Sequence, residues 1–148
     1  MKSYIVDTYA WISYFEGRKE FQEAIEENEL YTPSIVLAEV SRILTRRKLP
    51  KEKATQTLEF IKQRSLVLSL DESNAAKAGE TADREGLHLI DGITYSYVDG
   101  DTRLVTCSHP LMGVGFLLRR IPDGFSTGFQ SAVPPPTPHL RPIQSALR

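Results

Sequence analysis

Tyr4-Ile5-Val6-Asp7-Thr8-Tyr9 is the stretch on which the fold turns. Three β-forming apolar residues suit a short buried strand. An acid follows at once, and then Tyr9, Trp11, Ile12 and Phe15 supply the bulk of a helix that Gly17 breaks. Asp7 therefore stands at a strand-to-helix junction, where its side chain could serve as the helix N-cap.

Working outward, the same alternation continues. Phe21 to Glu29 reads as a second helix, and Leu30-Tyr31 as a brief strand. Thr32-Pro33 resembles a helix start, with a capping hydroxyl followed by proline at the first helical position. That helix runs to about Arg47, and Pro50 opens another through Gln63. Leu66 to Leu70 is a strand candidate. Asp71 caps a helix from Glu72 to Glu85, stopped by Gly86. Leu87 to Ile90 leads to Asp91, which could cap a helix through Val98. Thr102 to Cys107 is a further strand. Strands alternating with helices imply an α/β fold: a mostly parallel sheet flanked by helices on both faces. Ligands of such sheets gather at the carboxyl ends of the strands.

Three acids sit where a domain of this kind has little structural use for them. Asp7 ends one apolar run. Glu39 lies inside Ser34-Ile35-Val36-Leu37-Ala38-Glu39-Val40, and Asp91 follows Leu87-His88-Leu89-Ile90. On a helical wheel Glu39 falls between Ile35 and Ile43, within the apolar stripe that Val36, Val40 and Leu44 continue. A carboxylate near a core costs several kcal/mol, comparable to a domain's whole net stability, unless something compensates it. Three such residues on three elements suggest one shared compensator, and a divalent cation prefers oxygen ligands. Each acid also has a plainer reading. Asp7 and Asp91 could be helix caps, and Glu39 could pair with Arg42 or Arg46.

Composition bounds the remainder. At 148 residues the chain is one domain with an appendage, and 41% hydrophobic residues suffice for a core. A net charge of -1 does not announce a nucleic-acid binder, although local patches can still steer a polyanion. The single cysteine, Cys107, fits a reducing cytoplasm. No signal pattern is visible, and the apolar stretch Leu111 to Leu118 falls well short of the ~20 residues of a membrane span. The expected protein is cytoplasmic, with no membrane segment. Beyond Cys107 glycine and proline recur, and Pro134-Pro135-Pro136-Thr137-Pro138 favours an extended polyproline conformation. The expected division is a body over residues 1–120 and a proline-rich, irregular tail over 121–148.

Taken together, Val6-Asp7-Thr8, Pro33-Ser34-Ile35-Val36-Leu37-Ala38-Glu39-Val40 and Leu89-Ile90-Asp91-Gly92-Ile93-Thr94-Tyr95 resemble the three acidic motifs of PIN domains. Single-domain VapC-type ribonuclease toxins are the relatives this suggests. The resemblance implies a parallel sheet with its acids grouped around Mg²⁺ or Mn²⁺. It also implies endonucleolytic hydrolysis of RNA by a metal-activated water, a homodimer, and a small antitoxin protein as inhibitor. Asp7, Glu39 and Asp91 become the catalytic residues and metal ligands. Thr8, Thr106 and Ser108 become water-orienting candidates. Ser108 occupies the place of the family's fourth acid, so a catalytically weak or inactive PIN-like module that binds RNA or a partner protein is the alternative. Asp99 and Asp101 precede the last strand and should lie at its opposite end.

Other residues fit less specific roles. Arg42, Arg46, Arg47 and Lys48 form a basic run that could steer RNA, or simply a solvated helix end. Tyr9, Trp11, Tyr14 and Phe15 could stack bases, but their spacing assigns most of them to a core or a dimer interface. His88 and His109 lack metal-ligand spacing and read as structural. A phosphoryl-transfer enzyme with a nucleophilic Asp7 is disfavoured, because Asp7-Thr8-Tyr9 has no second acid two residues on.

Overall fold

The computed structural model describes residues 1–107 and the strand Phe116–Arg119. Its elements run β1 (Ser3–Val6), α1 (Thr8–Phe15), α2 (Lys19–Glu26), β2 (Glu29–Pro33), α3 (Ser34–Arg46), α4 (Lys51–Arg64), β3 (Leu66–Leu68), α5 (Glu72–Glu85), α6 (Leu89–Tyr95), β4 (Thr102–Cys107) and β5 (Phe116–Arg119). The strands form one sheet in the order β3-β2-β1-β4-β5. The first four are parallel, and β5 joins β4 antiparallel, with Cys107 opposite Phe116 and Leu104 opposite Arg119. β5 is a strand that the sequence analysis does not predict.

The chain steps from β1 outward to β2 and β3, then crosses back to place β4 on the other side of β1. The reversal puts a topological switch point between β1 and β4. Crevices beyond the carboxyl ends of parallel strands open at such points.

Alternation along β1 divides the interior. Tyr4 and Val6 face the main core, together with Leu30 and Val105, under α1 to α4. Ile5 faces the other way, into a smaller cluster with Leu68 and Val98 that Tyr31, Leu66, Tyr97 and Leu104 extend. Trp11 is the centre of the main core. It stacks on Phe15 at 6.0 Å, meets Phe60 edge-on at 6.3 Å, and donates its indole N–H to Thr32 Oγ1 at 3.1 Å. Tyr14 and Phe15 are buried in the same cluster, so of the two readings, core or dimer interface, these two residues take the core. Phe60, from α4, supplies the partner surface that the short early segment lacked.

Two expected caps are corrected by tertiary demands. Thr32 does not cap α3. Its hydroxyl lies 2.7 Å from Ser65 Oγ while accepting from Trp11, and Pro33 takes the cap position. Asp91 does not cap α6 either. His88 holds that position, and Asp91 lies inside the first turn. Asp7 and Asp71 do cap their helices, through Ala10 N–H and Asn74 N–H, and Gly86 closes α5 in the left-handed conformation.

α5 and α6 pack closely because Gly92 has no Cβ. A methyl there would meet Ala82 Cβ at 2.5 Å, Ala82 Cα at 2.9 Å and the Ala78 carbonyl oxygen at 3.0 Å. Backbone cannot yield as a flexible side chain can. Gly92→Ala should therefore separate the two helices, cost about 1–3 kcal/mol and displace the neighbouring Asp91. A urea denaturation midpoint equal to that of the parent chain would show the contact to be looser than this. Among the described residues no helix is long and apolar enough to cross a membrane.

Candidate active site

Asp7 is positioned by the end of β1 and the start of α1. Its own N–H donates to the Val105 carbonyl at 3.2 Å, which ties the junction to β4 across the switch point. Its Oδ1 accepts from Ala10 N–H at 2.7 Å. Thr106, one residue further along β4, donates its hydroxyl to the same carboxylate. Burial pushes the Asp7 carboxyl up to about 7 despite these two donors, and the charges of Asp91 and Glu39 push it the same way. Both acids therefore lie within electrostatic reach of Asp7.

Glu39 reaches the site from α3. It sits at the margin of the buried face, half-buried like Ile35 and Ile43, while Val36, Val40 and Leu44 are fully enclosed. Thr8 Oγ1 donates to its Oε2 at 2.7 Å. This bond links the first residue of α1 to the middle of α3 and fixes the carboxylate beside Asp7. Arg42 Nη2 lies 3.7 Å from Glu39 Oε1, one turn further along the helix. With the Arg42 side chain 57% exposed, such a pair contributes little stability. Asp91 is exposed on α6, which also touches α3.

Thr8 and Thr106 each hold an acid, a role that sequence spacing does not disclose. The basic run separates into two parts. Arg42 adjoins Glu39, whereas Arg47 Nη2 bonds Glu16 Oε1 at 2.8 Å, beyond the far end of α1 from Asp7. Arg46 and Lys48 are exposed towards the C-terminal end of α3. His88 is exposed and makes no side-chain cap bond. Ser108 and His109 lie outside the described residues, as does the tail over 121–148.

A groove of about 870 Å³ opens elsewhere, between the second sheet face and α5. Ser3, Glu29, Asp99, Asp101 and Thr102 line one part of it, at the starting ends of β1, β2 and β4, and Leu66, Val67, Leu68 and Ser69 line another, along and just after β3. Asp99 is occupied there, accepting from the backbone and hydroxyl of Thr102. Asp99 and Asp101 thus lie at the end of the sheet opposite Asp7, as expected from their place before β4.

The residues at the switch point fit a hard divalent cation. Asp7 is a desolvated carboxyl facing two like charges with only two hydrogen-bond donors, so its negative form is undercompensated. All the side-chain donors offered are oxygens. Among the described residues, no three acid, histidine or cysteine side chains stand close enough to form a closed ligand set. Mg²⁺ needs none, because it commonly binds through one or two carboxylates and keeps several waters.

The structure is thus a parallel α/β domain with Asp7 at its switch point, Glu39 tied to the adjoining Thr8, and Asp91 within electrostatic reach. The sequence model of the PIN domain matches residues 4–98, more than half of the chain and all three acidic motifs. The chain belongs to the PIN-domain family. Solved structures share its fold. The toxin VapC20 of Mycobacterium tuberculosis, described as cleaving the sarcin-ricin loop, is 17% identical with a TM-score of 0.52, over 63% of this chain and 78% of that one. VapBC2 from Rickettsia felis, bound to a DNA fragment from its promoter, is 20% identical at a TM-score of 0.55, over 72% and 88%. A toxin–antitoxin complex from Klebsiella pneumoniae is 18% identical at 0.57, over 74% and 90%. At these identities the likeness is one of fold. A comparison with curated proteins returns no match.

Proposed function

We propose that the chain is a divalent-metal-dependent endoribonuclease, the toxin of a prokaryotic toxin–antitoxin pair. On this reading it works in the cytoplasm as a homodimer and is restrained by a small antitoxin protein. The observation that carries the reading is the Asp7 carboxyl. It is desolvated and faces the charges of Asp91 and Glu39 at the switch point of a PIN domain. The VapC-like fold supports the toxin assignment.

Asp7 is the principal holder of the cation, with Asp91 and Glu39 completing the anionic pocket directly or through water. A bound Mg²⁺ or Mn²⁺ would acidify a nucleophilic water and neutralise charge on the phosphate and its leaving oxygen. Thr106 orients Asp7, and Thr8 holds Glu39 in place. Arg42, exposed beside Glu39, would meet the RNA phosphates, and its pairing with that acid supports this role. Arg46, Arg47 and Lys48 continue the positive field away from the centre, where they can steer but not bind the reacting group.

Incubation of single-stranded RNA with the purified chain in Mn²⁺ or Mg²⁺ tests the reading. Internal cleavage is expected, with none in chelator. RNA or partner binding without cleavage at saturating Mn²⁺ would replace the nuclease with a non-catalytic PIN module.

A further inference from the structure

Helix α1 is enclosed almost throughout. Thr8, Ala10, Trp11, Ile12, Ser13, Tyr14 and Phe15 are all buried, and Tyr9 alone is open, at 55% exposure. Four large hydrophobic residues are exposed among the described residues: Met1, Tyr9, Leu70 and Leu89. Two of them stand two positions from a site acid, Tyr9 after Asp7 and Leu89 before Asp91. An aromatic ring in water, two residues after a desolvated carboxyl, has no evident structural use, since the core is already filled by Trp11, Tyr14, Phe15 and Phe60.

The backbone also aims it. A helical Cα–Cβ bond tilts towards the helix N-terminus, so Tyr9 leans towards the end of α1 that Asp7 caps. Two residues of chain span at most about 7 Å, roughly the rise of two stacked nucleotides. A phosphate held at Asp7 would bring the neighbouring base within reach of the Tyr9 ring. Arg42 supplies a positive charge beside Glu39.

We propose that Tyr9 is a base-stacking platform at the mouth of the acidic site. The nuclease reading above is its premise. It narrows the substrate to RNA with an unpaired nucleotide beside the scissile phosphate, because a base inside a duplex has no free face to offer. Leu89, exposed two residues before Asp91, would be a second apolar contact. Stacking on an aromatic is tolerant of sequence, so Tyr9 selects for strandedness and not for base identity.

Fluorescence anisotropy in the non-cleaving Asp7→Asn background tests this with a short single-stranded oligoribonucleotide and the same sequence as a blunt duplex. Tyr9→Ala should weaken single-strand binding roughly ten- to a hundredfold and leave the duplex affinity unchanged. Tyr9→Phe and Tyr9→Trp should retain it, which separates a ring face from a hydroxyl contact. Equal single-strand affinity in Tyr9→Ala, or an equal loss in Tyr9→Phe, overturns the proposal. A Tyr9→Ala chain that changes from dimer to monomer in sedimentation while binding the single strand normally also overturns it, by making Tyr9 a protein contact. If the Asp7→Asn chain with Tyr9 intact binds neither RNA, the nuclease reading itself fails and the stacking platform goes with it.

Discussion

Asp7→Asn should abolish RNA cleavage, lowering the rate at least roughly a thousandfold, while leaving the fold intact. The substitution is unusually clean. Asparagine caps a helix as well as aspartate does, so the bond to Ala10 N–H survives. The amide fills the same space beside Thr106. What disappears is the negative charge, which the fold tolerates poorly and a cation requires. The variant should therefore melt no lower than the parent at neutral pH. Circular dichroism and thermal melts report the fold, and a labelled RNA reports the cleavage. Cleavage within a few-fold of the parent would remove Asp7 from the chemistry. A large drop in melting temperature would make it a structural residue instead.

Proton and cation should compete for the same carboxyl. In the fold, burial raises Asp7 from 3.8 to about 7. Between these values the folded chain keeps a proton that the unfolded chain releases. Asp7's contribution to stability is thus complete below pH 3.8 and is lost as pH rises towards 7. A shift of this size corresponds to about 4 kcal/mol. In chelator, the parent should lose stability relative to Asp7→Asn between pH 4 and 7. Cation affinity should move the other way, rising about tenfold per pH unit and levelling off above pH 7. Thermal melts of both chains at pH 5 and 8, with Mn²⁺ or chelator, check both statements. Parallel pH profiles for parent and variant would show that Asp7 ionises normally.

Local chemistry made much of the fold legible. Asp71 and Gly86 mark the ends of α5 because a cap is decided within a few residues. β4 coincides with Thr102–Cys107 because its apolar run is bounded clearly. Thr32 misled for the opposite reason: its hydroxyl serves Trp11 and Ser65, 21 and 33 residues away. Spacing alone leaves Tyr14 and Phe15 between a core and a dimer interface, and α4 decides it by bringing Phe60 against them. β5 was hidden because Phe116 to Arg119 lies among glycines and prolines, and its pairing comes from β4. At the site, the three acids stood out as charges in apolar settings. Thr8 and Thr106 were legible only as water-orienting candidates and not as holders of two of these acids, since a hydroxyl in a sequence gives no sign of the carboxylate it will meet. Nor did the run of cations show that Arg42 adjoins Glu39 while Arg47 belongs to Glu16.

The helices share unequally in the apolar interior, and the inequality divides the acids. Asp7 and Glu39 ride on elements whose residues build the main core, whereas Asp91 rides on α6, whose close partner is α5, and neither of these two helices adds a residue to either apolar cluster. A unit anchored by so little apolar surface opens locally at lower free energy than the rest. Amide hydrogens of α5 and α6 should exchange faster than those of α1 and α3, and uniform protection would contradict this. Asp91 then belongs to a separate cooperative unit from the other two acids. Whatever holds all three at once, cation or bound RNA, would fasten that unit to the body of the domain, and its arrival would be recorded as slowed exchange far from the point of contact.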